Sequence, residues 1–208
     1  MPNELSSAGF QFLDIGPLID GELELVPPRL DLIDEVLAAC AHPLTKVQAP
    51  GDAGVTRQQL QEFIKAAPGG LEGPDPLMGR VPQYHFWMRL REPFATIPGS
   101  APIRVLGGIG LRVGSTPAVE RYYGHLGYHV FPPARGRHYA ERACRLLLPL
   151  ARLHGVNPLW ITCNPDNLAS RTTCERLGAV FEEVVPVPQS DPLYLRGEHY
   201  KCRYRLTL

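Results

Sequence analysis

The residues best placed to do chemistry sit in one loop, Arg135-Gly136-Arg137-His138-Tyr139-Ala140. Before it runs a strand-like stretch, 124–131, rich in aromatic and β-branched residues. Pro132 and Pro133 end that stretch, since proline has no N–H to give a ladder. After the loop, Ala140, Ala143, Cys144, Leu147 and Ala151 recur at helical spacing. The loop therefore delivers free main-chain N–H groups at a helix N-terminus. With the helix dipole behind them such groups hold anions, most often phosphate. Nearby, His125 is a candidate general base, since histidine's reference pKa of about 6.5 suits proton transfer near neutral pH. His129 shares its strand face but lies ~13 Å away, too far to bind one metal ion with it.

The elements that must position this loop follow from the rest of the pattern. Residues 1–20 carry no firm element, and 21–26 alternates as a first strand. A helix is expected over 29–41, with Leu30, Ile33, Leu37, Val36 and Cys40 facing inward, and another over 56–67 behind a cap at Thr56. Residues 68–82 read as a long Gly/Pro-rich loop, either facing substrate or merely connecting. Strands follow over 82–90 and 103–113. The Gly107-Gly108-Ile109-Gly110 run lies inside a strand pattern with no helix after it. It signals close packing or a bulge rather than a dinucleotide fingerprint. The helix from Ala140 stops at His154-Gly155, and 159–163 is a buried-type strand, so the two strands flanking that helix should be parallel. A helix over 168–177 and strands over 179–187 and 200–206 complete the chain. The Lys201, Arg203 and Arg205 face of the last strand reads as solvated.

Composition narrows the classes. The 208 residues suggest one domain, and 44% hydrophobic content suits a globular core. Zero net charge gives no field toward nucleic acid or an anionic membrane. No apolar run approaches the roughly 20 residues of a membrane helix, and the first residues lack a secretory pattern. Cys40, Cys144, Cys163, Cys174 and Cys202 form no C-x-x-C pair. They read as reduced core thiols in a cytoplasmic protein, and no metal site is expected.

Two blocks together resemble the GNAT superfamily of N-acetyltransferases. One is Arg135-Gly136-Arg137-His138-Tyr139-Ala140 after its strand. It matches an Arg/Gln-x-x-Gly-x-Gly/Ala loop at Arg135 and Ala140 and departs from it at His138. The other runs from Asn167-Leu168-Ala169-Ser170-Arg171 through Cys174 to Leu177-Gly178 and is similar to the family's Asn-x-x-Ala/Ser helix ending in Leu-Gly. The likeness covers about 100–208. It implies a mixed α/β fold: a twisted, mainly antiparallel sheet of about seven strands, splayed at a central parallel pair and flanked by helices. A single domain, 1–208, would divide into an irregular 1–20, an acceptor-side half 21–100 and a cofactor half 101–208.

The resemblance further implies acetyl-CoA as co-substrate. Its pyrophosphate would lie on Arg135, Gly136, Arg137, His138, Tyr139 and Ala140, and its pantetheine arm beside Leu126–Phe131. A strand bulge there would turn the Val130 amide toward the thioester oxygen, and Asn167 would hold the arm or cap its helix. His125 stands where relatives place a glutamate base, with Glu120 as a weaker relay. Cys174 stands where relatives place a tyrosine acid, and Ser170 where a subgroup places a serine that bonds the sulfur. The implied reaction is direct acetyl transfer to a primary amine, a small molecule or a peptide N-terminus. His138 and Cys174 keep open a non-catalytic acyl-CoA-binding module, and the sequence leaves a homodimer open.

Overall fold

The computed structural model describes residues 10–67, 81–94 and 102–208. Among them, eight strands form one sheet: β1 (Leu18–Asp20), β2 (Leu23–Val26), β3 (Gln83–Phe94), β4 (Ile103–Arg112), β5 (Leu126–Val130), β6 (Leu159–Cys163), β7 (Val180–Pro186) and β8 (Tyr200–Leu206). Their spatial order is β1-β2-β3-β4-β5-β6-β8-β7. Every pair is antiparallel except β5 with β6. The mixed α/β fold with a central parallel pair is therefore as expected. The extra strand is β1, in a segment expected to be irregular; it hairpins onto β2 at Asp20↔Leu23. Its one-sided exposure hid its alternation.

The helix expected over 29–41 begins as a single 3-10 turn, Leu30–Leu32, and continues as α1 (Ile33–Ala41). Ile33, Val36 and Cys40 are buried, while Leu30, expected inside, is 60% exposed on that turn. His42-Pro43 ends α1, but Pro43 also opens a short helix, α2 (Pro43–Gln48), followed by α3 (Pro50–Ala53). Both use proline at the first turn, where its missing N–H costs nothing. Helix α4 (Arg57–Ala66) starts at Thr56 with a full capping box, Thr56 and Gln59 each bonding the other's backbone N–H. The long Gly/Pro-rich loop, read as either facing substrate or merely connecting, lies from 68 to 80 outside the described residues.

The two faces of the sheet carry different elements. On one lie α5 (Tyr139–Leu153) and α6 (Leu168–Arg176). On the other lie α1, whose Glu35 holds Arg89 of β3 at 2.7 and 2.8 Å, and α4, whose Phe63 meets His85 edge-on. Between β7 and β8 the chain makes one further short helix, α7 (Pro192–Leu195). The core runs through both faces, from Leu23 and Met88 to Leu147, Leu150 and Tyr204, all nearly sealed from water.

The β4 glycines behave as a packing feature. The register with β3 jumps between Met88↔Gly107 and Arg89↔Val105, so Leu106 is the extra residue of a bulge. A Cβ on Gly107 would lie 2.1 Å from the His129 carbonyl oxygen of β5. Gly107→Ala should therefore cost about 3 kcal/mol or more in chemical denaturation. Gly136→Ala, at φ 78 with nothing within 4 Å, should cost only about 1 kcal/mol for its left-handed backbone.

Candidate active site

The site begins where the parallel pair comes apart. β5 and β6 share one register pair, Leu126↔Ile161. On its other edge β5 pairs with β4 along its length, from Leu111↔Leu126 to Gly107↔Val130, without a register shift. The bulge expected in β5 is thus in β4 instead. Hydrogen bonds alternate along the ladder. His125 O accepts from Arg112 N–H and Phe131 N–H donates to Leu106 O. The main-chain groups of Tyr128 and Val130 therefore point the other way, into the gap beside β6. The Val130 carbonyl there accepts from Arg135 Nε at 3.0 Å.

His125 closes the base of this fork. Its N–H donates to Trp160 O at 2.6 Å, and its ring Nδ1 accepts from Trp160 N–H at 2.9 Å. The ring proton then sits on Nε2, 3.1 Å from Ser115 Oγ. The side chain is fully buried, and burial pushes its pKa down to about 4, with the Arg112 charge adding to the effect. A base needs a free lone pair in reach of substrate. His125 has neither, and it lines neither cavity described below, so its expected role as base is corrected to that of a structural clamp. Glu120, the weaker relay, sits in the wide turn Val119–Tyr123 and likewise lines neither cavity.

A groove of about 630 Å³ runs along the α5/α6 side of the gap. Val130, Arg135, Gly136, Arg137, His138, Tyr139, Ala140, Asn167 and Ser170 all border it, so the structure brings together most of the residues singled out from sequence. Among the expected cofactor contacts Phe131 is the exception. It is buried in the core with its N–H committed to Leu106. No side chain caps α5, which leaves the first-turn N–H groups of a 15-residue helix at the groove. Arg137 stacks over Phe94 at 4.9 Å, and Arg176 reaches the same rim. His138, which stands where the family loop has glycine, takes the left-handed conformation, φ 59, a region glycine enters without steric cost. Its exposed ring turns to Arg176 Nη1 at 2.8 Å. A diphosphate on a long flexible arm fits these donors.

A second cavity of about 280 Å³ opens on the opposite face. Arg112, Gly127, Thr162 and Lys201 form its floor, the 119–123 turn one wall, and Leu193, Arg196 and Glu198 another. The face of β8 expected to be solvated is in fact covered here. Lys201 and Arg203 are 6% and 8% exposed, Arg203 stacking over Trp160 and bonding Glu120 O at 2.9 Å. The basic stripe read as a free surface because its cover comes from a segment some eighty positions earlier.

The two cavities share Tyr128, Asn167 and Ser170. Asn167 caps α6 by accepting from Ser170 N–H at 3.1 Å. Ser170 Oγ lies 2.9 Å from Tyr128 Oη. Burial holds the Tyr128 hydroxyl well above the ordinary phenol range, so it stays protonated. Cys174, at the position of the family's tyrosine acid and expected to be at most a weak donor there, is fully buried behind this pair and borders neither cavity. Its expected role is corrected: the hydroxyl beside it belongs to Tyr128, on β5. Sequence reasoning missed Tyr128 because no motif marks a tyrosine in that strand. The thiol that does border the second cavity is Cys163, drawn below its ordinary value by a bond from Cys174 S–H.

A family model described as an acetyltransferase (GNAT) domain matches residues 22–180. The chain belongs to the GNAT acetyltransferase family. Solved structures agree on the fold. A microcin C7 self-immunity acetyltransferase, MccE, in complex with acetyl-CoA and AMP, is 17% identical with a TM-score of 0.62, covering 91% of this chain and 94% of that one. The ribosomal L7/L12 α-N-protein acetyltransferase RimL, joined to coenzyme A by a disulfide, is 14% identical with a TM-score of 0.61, covering 93% and 98%. A GNAT-family acetyltransferase from Bacillus anthracis is 14% identical with a TM-score of 0.57, covering 92% and 98%. No curated protein sequence matches the chain. Among the described residues no cluster of His, Cys, Asp or Glu is arranged to hold a metal, and no helix is long and apolar enough to cross a membrane.

Because the folded pKa of His125 is depressed, the folded state binds fewer protons than the unfolded one between pH 6.5 and 4. Stability is full above pH 6.5 and is lost as pH falls toward 4, by roughly 3 kcal/mol. His125→Gln should be less stable than wild type at pH 7, and the gap should narrow by about that amount at pH 4 in paired urea titrations. His138→Gly, which relieves a left-handed histidine, should raise the melting temperature by a few degrees, about 1 kcal/mol. It should also leave CoA affinity equal or better by calorimetry.

Proposed function

We propose that this chain transfers an acetyl group from acetyl-CoA directly to a primary amine within a ternary complex. One observation carries the reading. Two cavities on opposite faces of the sheet meet at Tyr128, Asn167 and Ser170, where β5 and β6 separate. The larger suits the co-substrate and the smaller an acceptor, so the reactants approach one point from two sides. In the reaction the amine N–C bond forms and the thioester C–S bond breaks. The amine gives up a proton and the sulfur leaves as a thiol.

The chain's own groups have definable tasks here. The uncapped start of α5, with Gly136 and Arg137 beside it, would hold a diphosphate, while Val130 and Tyr128 present main-chain groups to an extended arm. Bound acetyl-CoA supplies the activated acyl group. Tyr128 and Ser170 would donate hydrogen bonds at the point where the sulfur departs, and Tyr128 keeps its proton for that purpose. With His125 committed to Trp160, no histidine among the described residues borders the smaller, acceptor-side cavity. Among the described residues Glu198 is the one carboxylate that borders the acceptor cavity itself, and Lys201 holds it in an ion pair. Much of the rate gain then rests on positioning two reactants in one channel.

A small acceptor fits a 280 Å³ cavity better than a protein terminus does. The five thiols, all unpaired and buried, agree with a reducing, cytoplasmic setting. A non-catalytic binding module of the same fold would bind acetyl-CoA without turnover. Release of free thiol from acetyl-CoA with a panel of amines decides between them: turnover above hydrolysis supports transfer, and binding without turnover supports the module. Tyr128→Phe should lower kcat about 10–100-fold, with acetyl-CoA affinity by calorimetry unchanged.

A further inference from the structure

The acceptor cavity is electrically lopsided. Three cations, Arg112, Arg196 and Lys201, border it against one carboxylate, Glu198. Glu198 is already taken: it pairs with Lys201, which Asn164 Oδ1 also engages at 2.7 Å, and it lies 4.0 Å from Arg196. Asp191, on the same side, accepts from Tyr123 Oη and from Leu193 N–H. Arg112 is left over.

Arg112 comes from the end of β4, on the face shared with Gly127. A Cβ at Gly127 would lie 3.5 Å from its Nη1. That nitrogen donates to the Tyr123 and Gly124 carbonyls at 3.2 and 3.1 Å. Among the described residues no carboxylate pairs with this guanidinium, and its Nε and Nη2 have no hydrogen-bond partner. Burial accordingly lowers its pKa, with no carboxylate to offset the effect. Among the described residues no buried side-chain nitrogen or oxygen lacks a partner, so those two nitrogens reach open space rather than packed core. The fork is thus fixed at one corner by two carbonyls and presents its remaining edge to the cavity. A half-buried arginine with an open edge is matched by a planar or tetrahedral oxyanion, which accepts two parallel N–H bonds.

Resting on the acetyl-transfer reading, we propose that the acceptor is a small amine carrying an anionic group, a carboxylate or a phosphate, and that Arg112 binds that group. The amine then lies toward Tyr128 and Ser170, and the anion toward the 119–123 turn. Arg196, 63% exposed at the rim, adds attraction but no fixed geometry. Gly127 lies beside the same group, where a Cβ would sit in ordinary contact with the guanidinium.

The test uses four amines of similar length: n-propylamine, β-alanine, O-phosphoethanolamine and putrescine. Thiol release from acetyl-CoA is measured with wild type and Arg112→Gln. In parallel, binding of each amine to the CoA-saturated protein is measured by calorimetry. The expected result is that β-alanine or O-phosphoethanolamine has kcat/KM at least about tenfold above propylamine. Arg112→Gln should erase that preference by raising KM for the anionic amines far more than for propylamine, with CoA binding retained. Which of the two anionic amines wins distinguishes carboxylate from phosphate. Equal use of all four amines, or a preference that survives Arg112→Gln, overturns the anion site while leaving acetyl transfer standing. Binding of an anionic amine that is lost in Arg112→Gln, with no thiol released from any amine, removes the transferase reading and keeps the anion site. A Tm for Arg112→Gln within a few degrees of wild type separates lost recognition from lost folding.

Discussion

The structure depends on how His125 holds Trp160. Backbone and ring of one residue grip both the carbonyl and the N–H of another, and the same histidine's carbonyl takes the Arg112 amide of β4. Three strands are thus fixed at one point. Beyond it β5 stays with β4 and β6 stays with β8. Because each is fully paired on its outer side, the two can part without leaving a frayed sheet. The unpaired main-chain groups line a cleft instead of a core, which is tolerable only because a polar occupant or water reaches them. Full burial of the ring strengthens the clamp and removes the histidine from proton chemistry in the same stroke.

From that fork the two sides of the sheet take on opposite tasks. The α5/α6 side offers backbone donors and a helix terminus, groups that recognise phosphate without a particular side chain. Glu141, in the first turn of α5, does not oppose an anion there as a free charge, for it bonds Arg145 at 3.1 Å and faces Arg176 at 3.9 Å. The other side recognises with side chains alone. Its walls come from the 119–123 turn and from the segment between β7 and β8, held together by Tyr123 Oη on Asp191 and by Arg203 on Glu120. A cofactor common to a family suits the first kind of surface, and an acceptor particular to one protein suits the second.

Two departures from the family pattern have local physical accounts. His138 occupies a glycine conformation, which histidine tolerates better than most residues, and its ring leaves through solvent toward Arg176. The cysteine at 174 opens room beside α6 that the ring of Tyr128 fills from the strand across, so a hydroxyl still meets Ser170.

The sequence by itself determined the elements with strong periodicity or punctuation: α5 and α6 with their glycine stops, the parallel pair they imply, the phosphate-type loop, and the β4 glycines as a packing feature. Those are local properties, since a helix face or a proline break is set within a few residues. Tertiary structure alone decided what each polar residue touches. His125 became a clamp rather than a base because Trp160, thirty-five positions away, uses its lone pair. Arg203 became buried because a distant turn covers it, and Tyr128 entered the site because α6 starts beside it. Burial and the identity of a partner depend on contacts between remote parts of the chain. Neither is encoded in spacing, and together they set whether a histidine is basic, an arginine is open or a tyrosine holds its proton.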